Sequence, residues 1–310
     1  MQATTNPGTL IDIEVRDDDS FLYVFTALNA SIKGWQHYSP VMIIDGTFLK
    51  AAYGGTLLVA TAQDAAGKLF PLAFAIVDFE NDKSWEYFFT QIRNAFGLRE
   101  GMCIVSDRHL SIDKVAEKIY PEATHCLCMF HLLNNIKVNF KRNAKKVKVP
   151  FFAAAKAYTE NDFNYHMKEL DELDERIRPY LEGIGNKRWS RNIAHNTITR
   201  MMKKHEDVLA QSYVNSLKLQ LCISVKPSSN ELFTVMHNGK KYTVDLKKRT
   251  CTCKRFDIDE IPCQHAVVIL NEMNREPYDF CSRYYMKEAM LSTYSEMMFP
   301  IEKQDEWIIP

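Results

Sequence analysis

Four side chains of the kind that bind soft metal ions crowd into fifteen positions near the C-terminus: Cys251-Thr-Cys253-Lys-Arg-Phe-Asp-Ile-Asp-Glu-Ile-Pro-Cys263-Gln-His265, a C-x-C-x9-C-x-H pattern. Zinc takes four such ligands in a tetrahedron, and a complete protein-donated set marks a closed structural site rather than a catalytic one, which keeps a position open. Residues two apart around a tight turn can aim two thiolates at one point. The nine residues between the pairs reverse the chain, and Pro262 stiffens the approach to the second pair. The surroundings agree. Glu231–Val235 and Tyr242–Leu246 are strand-like, Asn238-Gly239 between them is a two-residue hairpin signal, and Ala266–Asn271 reads as the start of a helix. The bland alternative is a set of buried thiols in a small core.

All eight cysteines have to be read against a compartment. Met1–Leu10 has neither a basic start nor an apolar run, and no stretch approaches about 18 consecutive apolar residues, so neither a secretory nor a membrane reading gains support. A reducing setting is then the default, and cysteines there are metal ligands, reactive thiols or small hydrophobes before they are disulfides. The 310 residues suggest about two domains. Lys and Arg (39) balance Asp and Glu (39), but the balance is a sum over unlike segments. Residues 1–110 total −5, 111–160 +5, 161–182 −4, 183–250 +9 and 251–310 −5.

From Pro40 to about Asn139 the periodicity alternates between strand and helix. Val41–Asp45, Leu57–Thr61 and Phe70–Phe79 read as three strands of an antiparallel meander, the last two joined by a turn at 63–68. Trp85–Phe96 places apolar residues at 85, 88, 89, 92, 95 and 96 on one helical face, with Ser84 as the expected cap and Gly97 as the stop. A strand at Cys103–Asp107, a helix over Ser111–Tyr120 and an apolar run at Cys126–Leu133 complete an α/β core of mixed sheet and flanking helices. Asn161–Leu181 reads as one amphipathic helix with an apolar stripe from Phe163 to Leu181. The expected organisation is a lead-in over residues 1–39, the core over 40–145, a helical, basic connection over 146–225, the zinc module over 230–272 and a tail over 273–310.

Asp45 and Asp107, 62 positions apart, each terminate an apolar run, in Ile43-Ile-Asp45-Gly-Thr-Phe48 and Ile104-Val-Ser-Asp107-Arg108. Aspartates closing adjacent strands can share divalent cations that activate water and stabilise a leaving oxygen in phosphoryl transfer. Taken singly, each is equally well explained as turn chemistry.

The chain resembles the plant Mutator-like element (MULE) transposases, which have an RNase H-like core. The likeness is carried by Asp45-Gly-Thr-Phe-Leu-Lys50, Tyr53-Gly-Gly-Thr-Leu57, Phe74-Ala-Ile-Val-Asp78, Glu80-Asn81, Trp85-Glu-Tyr-Phe88 and Val105-Ser-Asp107-Arg108. The zinc pattern with Cys263-Gln-His265-Ala266 resembles the SWIM zinc finger, which that family carries downstream. The resemblance implies that Asp45 and Asp107 are the first two acids of a DDE triad using Mg²⁺ or Mn²⁺, and that Cys128-Met-Phe-His131 is a second Cys/His site. The third acid belongs in a stretch resembling Asn-Ile-Ala-Glu-Ser. No such stretch is identified between Arg188-Trp-Ser-Arg191 and Thr197–Lys218, so the expectation is that the third-acid segment of the catalytic domain is missing, and Glu169, Glu172, Glu175 and Glu206 are poor substitutes.

Basic residues mark the expected phosphate contacts: Lys137, Lys141, Arg142, Lys145 and Lys146 after the Cys/His pair, and Lys240, Lys241, Lys247, Lys248 and Arg249 at the hairpin before the zinc ligands. Lys187–Lys204 adds a third group, in which Trp189 is a candidate for base stacking. The expectation is a nuclear, DNA-associated, transposase-derived zinc protein with impaired chemistry, no membrane contact, and a homodimer or protein partner engaged through the SWIM module. Its rivals are an active metal-dependent DDE transposase or nuclease and a non-enzymatic transcription regulator of the domesticated-transposase type.

Overall fold

The computed structural model describes residues 6–50, 54–64, 67–141, 143–191, 212 and 224–299. They divide into two compact units. The first takes in the chain up to Cys128, apart from residues 65–67, together with the segment from Lys287 onward, and the second comprises those three residues and Met129–Met286.

The first unit is built on β1 (Leu10–Val15), β2 (Phe21–Ala27), β3 (Val41–Phe48), β4 (Thr56–Gln63), β5 (Leu69–Val77), β6 (Cys103–Ser106) and β7 (Thr124–Leu127). They form one mixed sheet in the order β1-β2-β5-β4-β3-β6-β7, antiparallel from β1 to β3 and parallel from β3 to β7. The RNase H-like mixed α/β expectation therefore holds, with the edge strand β1 and its neighbour β2 coming from the segment read as a lead-in. A short helix α1 (Asn29–Gly34) precedes β3, while α2 (Asp82–Phe96) and α3 (Leu110–Ile119) make the parallel crossovers possible.

Helix α2 buries Trp85, Phe88, Phe89, Ile92 and Phe96 in one cluster with Phe25, Leu58, Ala60 and Ala75 of the sheet. Alternate burial along β4 is the period-two signature of a sheet with one deeply packed face. The cap of α2 is Asn81 rather than Ser84: the Asn81 side chain accepts from the Lys83 and Ser84 amides at 2.7 and 3.0 Å, and the Ser84 hydroxyl accepts from the Asn81 amide in return. The apolar run Cys126–Leu133 is not one element. It divides into β7 and helix α4 (Met129–Asn139).

In the second unit α4 is followed by α5 (Lys148–Ala155), α6 (Glu160–Leu173) and α7 (Ile177–Ile184). The single helix expected over Asn161–Leu181 is thus two. Asp174 is extended (φ −162°) and its carboxylate accepts from the Arg176 amide at 3.1 Å, a local hydrogen bond that competes with helix continuation. Trp189 is fully buried and stacks on Phe151 at 5.6 Å, so it is core and not a base-stacking surface.

The zinc-ligand region is a four-stranded sheet, β8 (Ser224–Pro227), β9 (Leu232–His237), β10 (Lys240–Asp245) and β11 (Thr250–Cys251), in the order β11-β10-β9-β8. Two helices follow, α8 (Arg255–Asp259) and α9 (Gln264–Glu272). Asn238 and Gly239 both have positive φ (51° and 73°), as a two-residue hairpin turn of this kind requires. In the first unit, α10 (Lys287–Thr293) closes the described chain.

Candidate metal centres

The β9–β10 hairpin and β11 hold the first ligand pair. Cys251 pairs with Val244 of β10, and its amide donates to the Asp257 carboxylate at 2.8 Å. Lys254 then adopts a left-handed conformation (φ 65°) and its amide donates to the Cys251 carbonyl at 2.8 Å, turning the chain so that both thiols face inward. The second pair sits at the start of α9, with Cys263 as its N-cap residue and His265 in its first turn. Cys251, Cys263 and His265 are buried and Cys253 is half-buried.

The ligand atoms of the four residues all lie within 4.8 Å of one another. Among the described residues this is the one set of three or more Cys, His, Asp or Glu side chains close enough to hold an ion. His265 Nδ1 lies 3.6 Å from Cys251 Sγ and 4.0 Å from Cys263 Sγ. A tetrahedron with Zn–S about 2.3 Å and Zn–N about 2.0 Å has S···N edges of about 3.5 Å, so the donors fit zinc in both type and size. Hydrogen bonds from the Cys251 and Cys263 thiols hold Cys253 well below the ordinary thiol range. Burial pushes Cys263 well above it. Cys281, outside this set, is buried, with its thiol pushed up to about 12 by that burial.

Asp45 and Asp107 are brought level by strand register. Parallel β3 and β6 pair Val41 with Cys103, Met42 with Ile104 and Ile43 with Val105. Carried two residues further, that register brings Asp45 of β3 level with Asp107, which follows the last residue of β6, Ser106. Asp45 is not the last residue of its strand, because β3 continues to Phe48 against β4. It lies where the β6 partner runs out, and it is exposed while Asp107 is half-buried. The Asp45 carboxylate accepts from the Gly46 amide at 3.0 Å, and Asp107 accepts from the His109 amide at 3.2 Å.

Glu80 joins this edge, a neighbour the sequence pattern did not single out as a third acid. A Cβ at Gly46 would lie 2.8 Å from Glu80 Oε1, so the missing side chain at 46 makes room for that carboxylate. Burial raises the Glu80 carboxyl above its ordinary value, His109 draws it back, and Asp107 and Asp45 add to the rise. These hard oxygen donors suit Mg²⁺ or Mn²⁺. Asp45, Asp107 and Glu80 are nonetheless not gathered as closely as the zinc ligands.

Cys128 and His131 straddle the junction between β7 and α4. The Cys128 amide donates to the Ser106 carbonyl at 2.7 Å, and His131 Nδ1 is buried without a hydrogen-bond partner. No further ligand gathers with them among the described residues. His125 is engaged elsewhere, with Nε2 2.9 Å from the Ser106 hydroxyl and Nδ1 3.4 Å from Asp113.

The basic residues divide by role. Lys141, Lys145, Lys146, Lys240, Lys241 and Lys247 are exposed, and Lys137 is half-buried. Lys248 lies 3.8 Å from Asp245. Arg249 is tied down, donating to the carbonyls of Cys281 and Asp279 at 2.9 and 3.1 Å. Arg191 is buried over the Tyr158 ring rather than offered to solvent. Arg142, Arg200, Lys203, Lys204 and Glu206 lie outside the described residues.

The third-acid stretch also has a counterpart that the sequence reading passed over. Asn192-Ile-Ala-His195-Asn196 follows Arg191 directly and agrees with Asn-Ile-Ala-Glu-Ser in its first three positions, with His195 where the acid belongs. These residues too lie outside those described.

Comparison with known proteins finds a family match over each of the two regions. Part of the chain is 24% identical over 203 residues to a Chaetomium globosum protein described as PKS-NRPS hybrid synthetase cheA, covering 64% of this chain and 4% of that protein. Residues 41–135 match the MULE transposase domain and residues 242–274 match the SWIM zinc finger. The chain thus carries a MULE transposase domain, with Asp45 and Asp107 inside it, and a C-terminal SWIM zinc finger that encloses all four clustered ligands.

Proposed function

We propose that this chain is a nuclear, DNA-associated protein derived from a transposase, in which the zinc module is structural and strand-cleavage chemistry is impaired. The observation that carries the impairment is His195 at the position of the third acid. A neutral imidazole offers a divalent magnesium-type ion neither the charge nor the hard oxygen of a carboxylate. Asp45 and Asp107 keep their level placement, so a cation can still be attracted to that edge while the constellation for activating water lacks a member.

DNA association is supported by the exposed Lys240, Lys241 and Lys247 around the hairpin, for which no ion pair is found among the described residues. Each phosphate neutralised by such a cation adds to affinity and to its salt dependence. The test combines two assays on the full chain. Expected are salt-dependent binding to duplex DNA and no cleavage stimulated by Mg²⁺ or Mn²⁺, with His195→Glu the variant in which cleavage appears. Robust wild-type cleavage, lost in both Asp45→Ala and Asp107→Ala, would overturn the impaired reading in favour of an active DDE enzyme. No binding at low salt would remove the DNA partner.

A further inference from the structure

We propose that His237, outside the four-ligand pattern, is a positioning residue for the zinc site that fixes the His265 ring in its metal-binding tautomer. This rests on zinc being held by the Cys251, Cys253, Cys263 and His265 set.

The ring geometry assigns the two nitrogens of His265 different tasks. Nδ1 faces the sulfurs, at 3.6 Å from Cys251 Sγ and 4.0 Å from Cys263 Sγ. Nε2 faces away from them and lies 3.1 Å from His237 Nδ1. A neutral imidazole carries one N–H, and the nitrogen that binds metal must be the bare one. The His265 proton therefore sits on Nε2, where it needs an acceptor, and His237 Nδ1 is the atom within reach. Histidines that bind metals commonly donate their second ring N–H to such a partner, which sets the tautomer and raises ligand basicity.

The hairpin builds this arrangement. His237 is the last residue of β9 and pairs with Lys240 across the Asn238-Gly239 turn. Tyr242, two residues further along β10, is its diagonal neighbour on the same face. The Tyr242 ring stacks on His265 with centroids 4.1 Å apart and planes 20° apart. The imidazole of His265 is thus held flat by Tyr242 and by its edge by His237. Neither residue belongs to the C-x-C-x9-C-x-H spacing. Both come from the strand pair that precedes it.

The test uses the full chain and measures zinc affinity by competition with a chelator, together with ¹⁵N signals of the His265 ring. His237→Ala is expected to weaken zinc binding about 10–100-fold while the saturated content stays at about one ion per chain, and to speed exchange of the His265 Nε2 proton. His237→Asn, which returns an acceptor oxygen to the same place, is expected to recover most of the affinity. Rescue by Asn separates positioning from simple loss of packing. An alanine variant that holds zinc as tightly as wild type would overturn the proposal, as would equal weakening in the alanine and asparagine variants. A wild-type chain that takes up no zinc would instead sink the zinc assignment, and this proposal with it.

Discussion

The zinc cluster and the Asp45/Asp107 edge both gather cation ligands, by opposite routes. The cluster draws four donors from fifteen consecutive residues, encloses them and leaves them with few solvent contacts. The carboxylate edge takes its two aspartates from positions 62 apart, aligns them through one strand register and leaves Asp45 in solvent. A closed site made of local residues is tied to the folding of its own module. An open site made of distant residues is carried by a sheet that would fold without it.

Metal removal is the most forceful way to break that comparison. Structural zinc contributes about 10–16 kcal/mol of apparent binding free energy in small finger peptides. Cys263→Ser, or chelation of the wild-type chain, is therefore expected to take zinc content from about one ion per chain to none and to unfold the region around β9, β10 and α9. Zinc analysis with hydrogen exchange checks this. Unchanged protection in that region after metal loss would mean that the apolar cluster of Phe233, Val235, Phe256 and Leu270 suffices alone.

The sheet should answer to packing instead. Phe88→Ala, at a fully buried position between Phe25 and Trp85, is expected to cost about 3–5 kcal/mol in denaturant unfolding. Asp45→Asn should stay within about 0.5 kcal/mol, because the side chain is exposed and accepts a hydrogen bond from the adjacent Gly46 amide. A large destabilisation by Asp45→Asn would show that the edge is structural after all.

Salt dependence ranks next. Converting Lys240, Lys241 and Lys247 together to alanine is expected to reduce the slope of log affinity against log salt by about 2–3, since each phosphate contact contributes about 0.9. Arg249→Ala should leave that slope unchanged and loosen the Asp279–Cys281 segment it binds. The smallest effect concerns Glu80. Its raised carboxyl means the folded state holds its proton to higher pH than the unfolded chain, so the charged form opposes folding once pH rises above the ordinary carboxylate range. Glu80→Gln is then expected to stabilise the metal-free protein slightly at neutral pH, by under about 0.5 kcal/mol given its partial exposure, with the gain vanishing at acid pH. Thermal unfolding at the two pH values measures it.

Much of this was legible in short stretches. The hairpin at Asn238-Gly239 follows from two residues that tolerate positive φ, and α2 from an apolar stripe ended by Gly97. Where the reading failed, a local competitor decided the outcome. Asn81 outranked Ser84 as the cap because its side chain reaches two free amides at once. Asp174 broke a continuous apolar stripe with a hydrogen bond to the next turn. The run at Cys126–Leu133 is apolar in either state, and periodicity alone does not tell a short buried strand from the start of a helix. Strands β1 and β2 escaped notice although Leu10–Val15 alternates apolar and polar residues: its apolar Ile11, Ile13 and Val15 are exposed, so the alternation does not report a buried face.

The sequence by itself determined the zinc ligands, because four donors at fixed short spacing need only a turn and a reversal to converge. It also identified the two aspartates and the residue types of the basic stretches. Tertiary structure alone decided which distant groups meet. Pairing of β3 with β6 sets Asp45 level with Asp107, the bare backbone of Gly46 admits Glu80, and the β9–β10 register carries His237 and Tyr242 to His265. Register is a property of two strands at once, fixed by the burial of whole faces, and no single segment of the chain encodes it.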